Sequence, residues 1–195
     1  MMPDLQSRFP PRPTRVHEMC GTGAACFAAI CAARLPVAGT PLFWVRESWR
    51  NETLNPLGLG DFIDPSQLLL AQAGNQAEAL AVAEEALRDG ALPLVVIELS
   101  QPLNLTAGRR LQLAAQAGKA TGLCLIPEGA GSNAAETRWR CTPAFDPETE
   151  TRADDGRSTL HRWDLIKNKS GTIGAWHVRW DSAARRLHDI IPVAP

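Results

Sequence analysis

The stretch HEMCGTGAACFAAICAARL, residues 17–35, decides how the rest of the chain is read. It has the outline of a strand, a tight turn of small residues and a helix, the arrangement in which an α/β protein wraps backbone amides around phosphate. A loop of the G-x-x-x-x-G-K-[ST] type needs glycines for the wrap, a lysine for charge and a hydroxyl for magnesium. Counted from Gly21, the second glycine falls on Cys26, the lysine on Phe27 and the hydroxyl on Ala28. All three functional positions are substituted, while the register of strand, turn and helix is kept. The helix N-terminus still offers N–H groups and a dipole worth about 1 kcal/mol to an anion. Without the lysine and the magnesium ligand, the stretch predicts a strand-to-helix turn and no nucleotide.

Outward from this unit, short apolar runs alternate with helix-like segments. RVHEM precedes the helix of Thr22 to Arg34, and PLFWV, LLLAQ, PLVVIEL and TGLCLI read as further strands. Between them, residues 76–89 and 106–117 carry apolar residues at helical spacing. Asn75 with Glu78 forms a capping box, Gly90 supplies the stop, and Thr106 is the expected cap of the later helix, which Gly118 ends. Strand and helix in alternation predict a parallel sheet covered on both faces, which also explains the continuous Val, Ile and Leu of its strands. After Ile126 the period changes to two: TRWRCTPAF, RWDLIKNK, AWHVRWD and RLHDIIP predict an antiparallel meander extending that sheet. PEGAGSNAAE and DPETETRADDGRST are loops by composition.

The 195 residues, 45% of them hydrophobic, suffice for one core without staples. Residues 1–14, rich in proline, are expected to form a flexible tail, and residues 15–195 a single domain. Five cysteines with no C-x-x-C pair predict reduced thiols, without a disulfide framework or a metal site. No apolar run approaches the ~20 residues of a membrane span and no leader-like segment opens the chain, so a cytoplasmic protein without membrane contact is expected. A formal charge of −1 gives no general attraction to nucleic acid. The four histidines are dispersed, and no nucleophile, base and orienter fall together in the sequence.

The order of segments resembles the RecA recombinase fold, and within it the ImuA-like proteins, RecA-related accessory factors of a bacterial damage-induced mutasome. EMCGTGAACFA stands at the phosphate loop. PLFWVRESW resembles the next strand, with Glu47 at the place of the catalytic glutamate. The block from LGLGDFIDPSQ to PLVVIELS resembles the recombinase's centre, with Glu98 at its magnesium-associated acid. RWDLIKNKSGTIGAWHVRWD resembles the segment containing Lys-Asn-Lys, while LTAGRRLQLAAQAG and TRWR have the character of ImuA-like chains.

The resemblance implies a RecA-like three-layer α/β sandwich. It also implies a role without catalysis in the DNA-damage (SOS) response, scaffolding translesion synthesis. No cofactor is expected: Gly21, Cys26, Phe27 and Ala28 are a relic phosphate loop, and Glu47 and Glu98 relic acids. The implied partners are a Y-family polymerase-like (ImuB-like) protein, an error-prone replicative-type polymerase and the RecA filament. In recombinase filaments the Lys-Asn-Lys lysines reach ATP on the neighbouring subunit, so Lys167 and Lys169 are candidate contacts for a filament end. Arg109 and Arg110 are candidate contacts to DNA or an acidic partner. The alternatives are a RecA-like ATPase, a filament modulator and a damage-induced cell division inhibitor. Among the six tryptophans, any that lies exposed would be a natural interface anchor.

Overall fold

The computed structural model describes residues 4–34, 40–146 and 158–193. Its centre is a nine-stranded mixed sheet in the order β3-β2-β4-β5-β1-β6-β7-β8-β9. The strands are β1 (Val16–Cys20), β2 (Leu42–Glu47), β3 (Leu68–Ala73), β4 (Leu94–Glu98), β5 (Thr121–Leu125), β6 (Thr137–Pro143), β7 (Ser158–Asn168), β8 (Gly174–Asp181) and β9 (Arg186–Val193). All pairings among β1 to β6 are parallel, and β7, β8 and β9 are added antiparallel. The expected α/β class, with a parallel core extended by a C-terminal meander, is what the chain forms.

Helices cover both faces. Helix α1 (Ala24–Ala33) lies on one, and α3 (Gln76–Asp89) and α4 (Leu105–Ala117) on the other, while the short α2 (Pro56–Gly60) sits in the connection from β2 to β3. Helix α1 is almost all alanine, phenylalanine and isoleucine because most of it is buried, Phe27, Ala28 and Ile30 completely. Helix α3 is amphipathic instead. It begins with the expected Asn75–Glu78 box and ends at Gly90, whose φ of 75° and position against the Gly118 carbonyl exclude a side chain.

The meander's alternation has a structural cause. Trp139, Trp163, Trp176, Val178 and Trp180 point to the α1 face and are at most 1% exposed. Phe27 meets Trp163 with ring centroids 4.7 Å apart and Trp139 at 5.3 Å. The core beneath α1 is therefore aromatic, each such pair adding roughly 0.5–1.5 kcal/mol beyond its buried area.

Two expectations require correction. Residues 4–14 are not a free tail: Leu5 is buried in a short 3-10 turn, and the Phe9 ring lies 5.5 Å from Phe27 and 4.9 Å from Trp163. The apolar surface of these two side chains outweighs the extended bias of the prolines around them. Helix α4 starts one residue before Thr106, and its cap is Asn104, whose side-chain oxygen accepts from the Ala107 amide at 2.8 Å. Most of the loop DPETETRADDGRST lies outside the described residues, and its Ser158 and Thr159 already belong to β7.

Candidate functional site

The carboxyl ends of β1, β2, β4 and β5 open on a cleft of about 860 Å³. This is where open α/β sheets bind ligands, because loops and helix N-termini converge at that edge. One wall is the turn Gly21–Thr22 with Ala24 and Ala25 of α1, the floor holds Arg46, Arg50 and Glu98, and the residues after β5 form the opposite wall.

The wall derived from the phosphate-loop outline is closed. Gly21 has φ of 88°, and a Cβ there would stand 2.5 Å from the Cys141 carbonyl oxygen. The Gly23 amide donates to that same oxygen at 2.8 Å, and the Ala24 amide to Gly21 at 3.1 Å. The glycines thus let the turn press onto β6 instead of wrapping a ligand. Phe27 and Ala28, at the places of the lysine and the hydroxyl, are fully buried, and Cys26 is half-buried. Helix α1 has no side-chain cap, so the Ala25 and Cys26 amides remain the orphan donors of a helix start.

The two acids do not converge. Glu98 faces the cleft: it accepts from the Trp44 indole at 2.8 Å and pairs with Arg46 at 3.2 Å and Arg50 at 3.6 Å. Glu47 follows Arg46 on β2, so its side chain points to the other face of the sheet, buried, with Oε2 meeting no donor. Arg46 and Arg50 were not singled out by the sequence; the only signal was their place at and just after the end of an apolar strand.

A second polar cluster ties β1, β6 and β7 to the loop after β5. Glu18, wholly buried, accepts from Nε and Nη2 of Arg138, both at 2.8 Å, and from the Ser132 amide at 2.8 Å. Gly131 leaves room for that guanidinium, since a Cβ there would stand 2.0 Å from its carbon. Lys167 donates to the carbonyls of Ser132, Asn133 and Ala135 at 3.0, 3.1 and 2.8 Å, and Lys169 to Ala134 at 2.7 Å. Lys167 is held below the usual lysine range, first by burial and then by the Arg138 guanidinium. Both ammonium groups, expected to reach toward a neighbouring subunit, bond carbonyls of their own loop in this chain; Lys167 shares the Ser132 carbonyl with Arg138, and Lys169 shares that of Ala134 with Gln112. The loop of residues 127–136, without Lys or Arg of its own, is anchored by these cations from the sheet.

Beside this cluster, His17 is buried between the Arg12 carbonyl at 2.8 Å from Nε2 and the Thr137 hydroxyl at 2.7 Å from Nδ1. Because a carbonyl only accepts, Nε2 carries the proton and Nδ1 accepts from Thr137. Burial lowers His17 to about 4, and it does the same to His161. Arg110 pairs with Glu84 at 2.7 Å, linking α4 to α3, whereas Arg109 is exposed. All five thiols are unpaired and raised by burial, hence poorly nucleophilic. Among the described residues no group of three His, Cys, Asp or Glu could hold a metal ion, and no helix is long and apolar enough to cross a membrane.

No family model and no curated protein matches the chain. Among solved structures, the crystal structure of SulA from Pseudomonas aeruginosa is similar. It is 27% identical over 57% of this chain and 97% of that chain, with a TM-score of 0.46.

Proposed function

We propose that this is a RecA-like accessory protein of the bacterial DNA-damage (SOS) response that works by binding and not by turnover, scaffolding a translesion-synthesis mutasome. The observation that carries the non-catalytic part is the fate of the phosphate loop. Its strand, turn and helix are kept, yet Phe27 and Ala28 are buried where a lysine and a hydroxyl would serve nucleotide, and the Gly23 amide is bonded to Cys141. The acids argue the same way, since Glu98 is neutralised by two arginines and Glu47 faces away from the cleft. The mutasome role is supported by the ordered resemblance of the segments to ImuA-like chains.

The test is affinity purification of the tagged protein from its own DNA-damaged cells, washed with nuclease. A polymerase-like protein retained through the wash is the expected result, and a deletion strain should lose damage-induced mutagenesis while septation is unaffected. Loss of damage-induced division arrest with mutagenesis intact would instead assign the protein to division control.

A further inference from the structure

We infer that the cleft between the α1 N-terminus and the end of β2 is a docking site for an acidic segment of a partner protein, anchored by Trp49. This rests on the reading of the protein as an interaction scaffold and gives that scaffold a contact surface. Three features of the cleft point to such an occupant.

The first is charge. On the floor two guanidinium groups face one carboxylate, leaving an excess of one positive charge. The side chain of Arg46 is only 6% exposed and that of Glu98 9%, so this excess is screened far less than a surface charge. On the rim, Glu128 is already paired with Arg140 at 2.9 Å, and Glu52 is exposed to water.

The second is unmet hydrogen bonding. The Nε–H groups of Arg46 and Arg50 are both buried and meet no acceptor. Buried donors in that state favour any acceptor that enters, and the Ala25 amide at the helix start adds another donor on the wall. A carboxylate, with two acceptor oxygens and one charge, matches what is missing. Phosphate does not: it carries more charge than the floor can balance, and the turn that would wrap it is pressed onto Cys141.

The third is the anchor. Five of the six tryptophans are at most 1% exposed, while Trp49 is 60% exposed. Its ring lies against the guanidinium of Arg50, 5.7 Å from centroid to carbon, so an exposed indole stands beside one of the residues that line the cleft. Exposed Trp beside Arg is the composition of interface hot spots. Leu54, Leu125 and Ile126 line the same space, so the fitting segment carries an aliphatic residue beside its acid. A volume of about 860 Å³ takes several residues of such a segment.

The test pans a random dodecapeptide phage library against the immobilised full-length protein, with the Arg50→Glu variant as counter-selection. The enriched peptide is then synthesised and titrated against intrinsic fluorescence with acrylamide quenching, a readout dominated by Trp49 because the other indoles are buried. The expected consensus pairs Asp or Glu with an aliphatic residue. Binding should shield Trp49 from acrylamide in the wild type, and calorimetric titration of the same peptide should show it weakened at least tenfold in Arg50→Ala and in Trp49→Ala, the latter with unchanged melting temperature. Absence of an acidic consensus, or equal binding by the variants, overturns the proposal. So does full displacement by millimolar inorganic phosphate, which would mark a small-oxyanion site. If the partner purified from damaged cells is retained by Trp49→Ala/Arg50→Ala, the docking surface lies elsewhere and the scaffold reading survives. If wild-type protein retains no partner, the scaffold reading itself fails.

Discussion

Replacing Arg138 by methionine should be among the most damaging single changes outside the aromatic core. It keeps the length of the aliphatic stem and removes two of the three donors that hold the buried Glu18 carboxylate, leaving only the Ser132 amide. Breaking a buried pair on one side costs about 3–5 kcal/mol, because the remaining charge is uncompensated. At roughly 2–4 °C per kcal/mol for a domain of this size, the melting temperature should fall by about 6–20 °C. The double variant Glu18→Gln/Arg138→Met removes both charges and should recover a substantial part of that loss. Calorimetry on the two variants and the wild type decides the matter. A fall under 3 °C for Arg138→Met, or a double variant no better than the single, would refute the claim that this pair carries the loop after β5.

Three further outcomes follow from the same geometry. Phe27→Lys, which restores the lysine of the phosphate motif, should cost about 3–5 kcal/mol or prevent folding, and should not create MgATP binding, since it removes the ring packed on Phe9, Trp139 and Trp163; urea unfolding and calorimetric titration check both halves. His17 titrates near 4 when folded and near 6.5 when unfolded, so the unfolded chain takes up the proton first. Its contribution is complete above pH 6.5 and falls by about 3 kcal/mol as the pH drops to 4, and His17→Gln should flatten that part of the stability profile while His161 keeps the rest. Lys167→Met should leave the Asn133 and Ala135 carbonyls without their donor, while Ser132 keeps Arg138, costing about 1.5–3 kcal/mol and raising amide hydrogen exchange selectively in residues 129–136.

Local signals carried the fold well. The capping box at Asn75, the stop at Gly90 and the period-two tryptophans of β7 and β8 each correspond to an element with the expected buried face. The parallel strands were legible because their apolar runs are continuous. Contacts between distant residues were not legible. Glu18 and Arg138 stand 120 residues apart and neither has a neighbour that marks it as paired. Phe9 lies among prolines whose local bias is extended, and only the aromatic cluster it joins explains its burial. The same blindness applied to the candidate site. Lys167 and Lys169 stand in a motif whose order resembles a recombinase segment, but the bonds they make depend on the loop after β5, which a sequence cannot place. Nothing local marks Arg46, and only the sheet order, which sets β2 beside β4, brings it to Glu98.

Whether the strand, turn and helix of residues 17–35 serve packing in place of nucleotide binding is decided by titrating the full-length protein with MgATP in a calorimeter and following phosphate release in the same samples. The expected result is no saturable heat up to millimolar nucleotide and no release above the buffer rate. Saturable magnesium-dependent binding, with turnover lost in Glu98→Gln, would contradict it and make the cleft an ATPase site.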